Sequence, residues 1–259
     1  MPRCPYATQG ERLMRRSVRL ATTALAVLAV LAGCGQGGSD PEPTASASSP
    51  APLPTEEAAI EGALPTLDQV PGASDVDFQC PKDEEKCAGS DVGHPFWAFS
   101  VRLDSVGNPV DIERNGTTSA PNDVAVVNLN LLDDAEAART FMAGLRKDQK
   151  PYDGTFDIPA KPVGGGREVP ASSGEGSLDD VTVQGLDGYL SSYRLDSAET
   201  GDPAQRVVSL LVGEGRVVVG VFVSMSAPGR DADAAEQLAQ RLARDTVERL
   251  RKGAATFTQ

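Results

Sequence analysis

The stretch Arg216–Ser224 (RVVVGVFVS) is apolar at both alternating positions of an extended chain. A strand with one wet face alternates apolar and polar residues, whereas one that is apolar throughout belongs inside a sheet. It is therefore predicted to be a central strand. A second strand, Arg206–Val212, precedes it, and Gly213-Glu214-Gly215 between them has the composition of a hairpin turn. A helix is predicted over Arg230–Lys252. Ala235, Leu238, Ala239, Leu242, Val247 and Leu250 lie on one side of it, with Arg241, Arg244, Glu248 and Arg249 off that side.

Upstream, Phe96–Leu103 (FWAFSVRL) alternates and is rich in aromatics, as a strand should be. Val124–Leu132 is another strand, and Asn128 and Asn130 make one of its faces more polar. Asp133 opens a helix and is expected to cap its free N–H groups, while Asp134 and Glu136 complement the positive end and Ala135, Ala138, Phe141, Met142 and Leu145 form its apolar stripe. Residues 148–180 are broken by prolines and glycines, with short strands expected near 154–158 and 163–169. Further strands are expected at Val181–Val183 and Tyr189–Leu195. Thr55–Ala63 suits a short helix, and Pro71-Gly72 stops a turn of helix begun near Leu64. Hairpin-linked strands followed by helices predict an α+β fold: an antiparallel sheet with two main helices packed on one face. The alternative is an all-β domain with a C-terminal helix.

The N-terminus has a different character. Arg15, Arg16 and Arg19 precede a 14-residue uncharged stretch, Leu20–Gly33. A membrane-spanning helix needs about 20 apolar residues, so this one is the length of a signal-peptide core. The tetrad Leu31-Ala32-Gly33-Cys34 ends it. Residues 35–54 then contain 15 Gly, Ser, Pro or Ala, with no periodicity able to offset the entropy of ordering. This arrangement resembles a bacterial lipoprotein signal. It implies a leader 1–33, a lipidated Cys34 opening a disordered stalk through residue 54, and one extracellular domain over 55–259. Two acyl chains of palmitate type suffice for stable anchoring.

Formal net charge is −13; the leader holds five Arg and one Glu, so its removal leaves −17. Such a surface repels phosphate polymers and argues against nucleic acid as a partner. After Cys34 only Cys80 and Cys87 remain. In an exported chain an even pair this close reads as one disulfide, and a zinc site would need ligands that a chain with a single histidine, His94, does not offer. His94 sits in a turn, so no Ser-His-Asp triad is predicted. Gly164-Gly165-Gly166 lacks the Lys-Ser/Thr of a phosphate loop. No catalytic residue, metal ligand or cofactor is assigned. Trp97, Phe96 and Phe99 are candidates for lining a ligand cleft, although aromatic stripes are more often core.

Leu131-Leu132 followed by Asp133-Asp134, Glu136 and Ala138 opens a helix with an aromatic at Phe141. Gly185-Leu186-Asp187-Gly188-Tyr189, the hairpin with its Val-rich second strand, and a terminal helix carrying Leu242-Ala243-Arg244 complete a pattern. Over roughly 64–252 it resembles small sensor-like lipoproteins of actinobacteria and the extracellular sensor domain of PknH-type receptor kinases. The resemblance implies an antiparallel sheet with helices and a cleft that binds a small ligand or an envelope protein. Those domains typically carry two disulfides, whereas this chain can form one. The expected function is a non-enzymatic, lipid-anchored protein on the outer face of the cell membrane, binding a ligand or partner. The alternatives are a structural envelope lipoprotein without a ligand, or a cell-envelope hydrolase using scattered carboxylates.

Overall fold

The computed structural model describes residues 52–83, 87, 93–103, 112–114, 117–119, 123–164, 167–169, 171–197, 204–226 and 232–257. Cys34, its leader, the tract through residue 51 and part of the Gly164–Gly166 run lie outside them. The compact unit spans Ala51–Gln259.

Its core is one eight-stranded antiparallel sheet. In chain order the strands are β1 (Ala73–Cys80), β2 (Phe96–Leu103), β5 (Val124–Leu131), β6 (Gly154–Ile158), β9 (Ser172–Val183), β10 (Leu186–Ser197), β11 (Gln205–Glu214) and β12 (Val217–Ser226). In space they run β1-β2-β5-β12-β11-β10-β9-β6. Two small ladders stand apart from it: β3 (Ile112–Arg114) with β4 (Thr117–Ser119), and β7 (Lys161–Gly164) with β8 (Arg167–Val169). Three α-helices are described: α1 (Glu57–Glu61), α2 (Ala135–Gln149) and α3 (Ala232–Phe257). Asp134 caps α2, its side chain accepting from the Ala137 N–H at 2.8 Å. β1 and most of β9 fall where no strand was expected.

The expectation of an α+β fold with two main helices on one face is overturned. The sheet dominates, and only α3 is long, at 26 residues against 15 in α2 and 5 in α1. The two larger helices also lie on opposite faces. On β12, Val217, Val219, Val221 and Val223 join the cluster that holds Ala235, Ala239, Leu242, Val247 and Leu250 of α3. Val218, between them, packs with Leu132, Ala138, Phe141 and Met142 on the α2 side. Consecutive serines of β10 confirm the arrangement. Ser191 donates to Gln149 of α2 at 3.2 Å, and Ser192 to Glu236 of α3 at 2.5 Å. The physical reason is the double-sided apolarity of β12: one helix can dry only one of its faces.

Cys80 and Cys87 are bonded, with Cα atoms 5.9 Å apart, and close the loop that follows β1. The pre-strand segment is tied to α3: Leu53, Ile60, Ala63 and Leu64 are buried in its cluster, and Arg249 Nε donates to the Ala63 carbonyl at 2.8 Å.

On the α2 face, Tyr189 is 2% exposed under Arg146, whose guanidinium carbon lies 5.9 Å from the ring centre. Burial, and after it the negative charge of Asp148, pushes the phenol well above its ordinary range, while Arg146 opposes this. The unfolded chain gives up this proton near pH 10 and the folded chain holds it, so folding stability falls as pH rises above about 10. Alkaline titration of unfolding by circular dichroism should show this loss, and Tyr189→Phe should flatten it while leaving stability at pH 7 nearly unchanged. An identical alkaline limb in the variant would assign the loss to another group.

Candidate functional site

Helix α2 spans only part of its face. It touches β10, β11 and β12. Beyond it lie the outward positions of β2, β5 and β12, and the strand register arranges them in rows. Phe96, Asn130 and Val218 form the first row, followed by Ala98, Asn128 and Gly220, and then by Ser100, Val126 and Phe222. Arg102, Val124 and Ser224 form the last.

The polar residues of the first two rows are bonded to one another. Asn130, 3% exposed, donates its Nδ2 to Asn128 Oδ1 at 3.1 Å. Its Oδ1 lies 3.0 Å from His94 Nε2. With the amide of Asn130 oriented by Asn128, that oxygen is an acceptor, so His94 donates from Nε2. The imidazole ring also meets the edge of Phe141 of α2, with centroids 5.3 Å apart and planes at 79°. The only histidine thus joins the preceding turn to the sheet and to α2. Gly220 makes the ladder possible: a Cβ there would stand 2.3 Å from Asn128 Oδ1.

At the other end of the face, Ser224 is 1% exposed and its Oγ has no hydrogen-bond partner. Leaving a buried hydroxyl unpaired costs about 1–3 kcal/mol. Half-buried Phe96, Val124, Val126 and Phe222 separate the polar groups. The face therefore combines an apolar floor with amide, imidazole and hydroxyl groups, and at its far end the Arg102 guanidinium, which pairs with Asp77 at 3.5 Å. The contact at His94 Nε2 is to the amide of Asn130. Among the described residues no three His, Cys, Asp or Glu side chains group as a metal site.

The aromatic candidates separate. Trp97 and Phe99, each 5% exposed, belong to the core cluster on the α3 side. Phe96 alone lies on the ladder's face, beside Asn130. The period-2 spacing of Asn128 and Asn130 marked this face as polar in the sequence. His94, Gly220 and Ser224 carried no local signal, because their roles depend on strands distant in the chain.

No family model and no curated protein matches the chain. Among solved structures it is similar to the extracellular domain of PknH from Mycobacterium tuberculosis. The identity is 11% and the TM-score 0.44, over 77% of this chain and 100% of that one.

Gly220→Ala should displace the Asn128 amide and break its bond from Asn130, costing roughly 1–3 kcal/mol. Adding Asn128→Ala should recover much of that loss, because the atom in conflict is gone. Thermal unfolding of both single variants and the double variant measures the cycle, and strictly additive losses would remove Gly220 from the account of the ladder.

Proposed function

We propose that this chain is a non-enzymatic extracytoplasmic lipoprotein. A lipid on Cys34 holds it to the cell membrane, and the folded unit binds a small ligand on the face formed by β2, β5 and β12. The binding half rests on one observation: the His94–Asn130–Asn128 ladder shares a sheet face with the unpartnered, buried Ser224 hydroxyl. A ligand hydrogen bond at Ser224 would recover the cost of that orphan, beside a floor that holds half-buried Phe96 and Phe222. The anchoring half rests on sequence: the tetrad ending in Cys34, the uncharged stretch before it and the Gly/Ser/Pro/Ala tract after it. The Cys80–Cys87 bond is in keeping with an oxidising compartment.

Two measurements test the two halves separately. Expressed in an actinobacterial host, the wild-type chain should fractionate with membranes and Cys34→Ser should be released; a variant that stays in the membrane fraction rules out the lipid anchor. Native mass spectrometry of the protein gently purified from that host should show a discrete added mass that is lost on denaturation. Asn130→Leu should lower its occupancy at least tenfold, through loss of the ladder. A bare polypeptide mass, or equal occupancy in the variant, would remove ligand binding from this face.

A further inference from the structure

Strand β9 is longer than the strand that borders it. β10 pairs with it along its whole length, Ser172 to Val183, but β6 pairs only from Ser172 to Gly176. The β9–β10 hairpin closes with the pair Val183 and Leu186, around Gln184 and Gly185 at φ 53° and 79°. Two successive positive φ values are those of a type I′ turn, which fixes the register of both strands. Residues of an antiparallel strand direct their N–H and C=O alternately to one side and the other. From the closing pair, Val183, Val181 and Asp179 turn theirs toward β10, while Thr182, Asp180 and Leu178 turn theirs outward. Among the described residues no strand pairs with Asp180 or Thr182 on that side, and both side chains are exposed.

This open edge is acidic. β6 and β9 together carry Asp157, Glu175, Asp179 and Asp180 and no Lys or Arg. Asp187, opposite Thr182 on β10, adds another carboxylate. Arg146 pairs with Asp180 from the α2 side, while Asp179 projects into solvent on the other face.

We propose that the outer edge of β9 accepts an extended basic peptide segment as an added strand. The outward N–H and C=O of Asp180 and Thr182 pair with its backbone, and Lys or Arg side chains on one face of the segment meet Asp180 and Asp187, while Asp179 lies on the other face. Strand addition takes its affinity from main-chain hydrogen bonds and its specificity from alternate side chains. A second copy of this chain is the wrong occupant, because self-pairing about Asp180 sets carboxylates directly opposite one another. The surface is separate from the polar face of β2, β5 and β12, so the proposal stands apart from that reading.

The test uses the full-length chain in mild detergent and a labelled, acetylated hexapeptide alternating Lys and Val. Fluorescence anisotropy should show saturable binding that weakens with added salt, with slowed amide exchange at Asp180 and Thr182. Thr182→Pro removes an outward N–H without breaking the ladder to β10, a position where an edge strand tolerates proline. It should weaken binding by about fivefold or more. The same peptide with alternate backbone amides N-methylated should lose binding to the unaltered chain, a control that needs no protein variant. The proposal is overturned by equal binding of a hexapeptide alternating Glu and Val, by unchanged affinity in both the proline variant and the methylated peptide, or by protection confined to other strands. It is also overturned by no binding at millimolar peptide, or by self-association of the chain that Thr182→Pro abolishes.

Discussion

β12 sits between β5 and β11, and its backbone is dry on both sides. Val217, Val218, Val219, Val221 and Val223 are each 0–1% exposed. Burying each such side chain contributes roughly 1.5–3 kcal/mol, so the strand is stable only where both faces are covered. A helix can dry one face of a sheet. The chain therefore divides its helices, sending α3 to the face of Val217, Val219, Val221 and Val223 and α2 to the face of Val218. Ser191 and Ser192, adjacent in sequence, must point in opposite directions, and each finds a side-chain acceptor on a different helix.

The two covers differ in extent. α3, 26 residues long, buries Ala235, Ala239 and Ala243, which are small enough for close approach. α2 is shorter and leaves two regions of its face to be filled otherwise. Over β9 the filling is aromatic. Tyr152 stacks on Tyr193 with centroids 4.7 Å apart, and Phe156 meets both rings edge-on. Gly174 and Gly176 make room for them: a Cβ at Gly174 would stand 2.4 Å from the Phe156 ring, and one at Gly176 2.5 Å from Tyr193 Cβ. Over β2 and β5 the filling is the ladder of Asn128, Asn130 and His94. No described helix lies over this part of the face, yet Ala98, Ser100, Asn130 and Ser224 on it are each 1–3% exposed.

Much of this was legible in the residues. The apolar alternation of Phe96–Leu103, Val124–Leu131 and the β11–β12 hairpin located the central strands, since period-2 burial is written locally. The long C-terminal helix was legible for the same reason, whereas the cap of α2 falls on Asp134, one residue after the Asp133 that the sequence suggested. β9 was not, because its sequence, SSGEGSLDDVTV, lacks apolar alternation; partners on both sides over part of its length, and glycines that admit aromatic rings, make it a strand. The assignment of both helices to one face failed for a related reason. The sequence of α2 shows that it has an apolar stripe but not which side of the sheet the stripe meets. That choice is made by the demand of Val218 for cover. At the site, the period of Asn128 and Asn130 announced a polar face, while the contributions of Gly220, Ser224 and His94 arise only when β12 and the turn before β2 are brought against β5.

Among the described residues neither a barrel closure nor a helix covers the margins of the sheet, so it has two edges to protect. β1 is irregular, with register shifts between Ala73 and Asp75 and between Val76 and Phe78, and it carries Asp75 and Asp77. β9 ends in a regular stretch whose protection is Asp179 and Asp180. Bulges and charges are the usual devices by which edge strands avoid pairing with their own kind. The two devices differ in what they leave possible. A bulge spoils the ladder for any incoming strand, whereas a carboxylate spoils it only for an acidic one. The regular backbone of β9 under an acidic margin thus discriminates by charge, and a net charge of −13 ensures that the chain's own copies fall among the rejected partners.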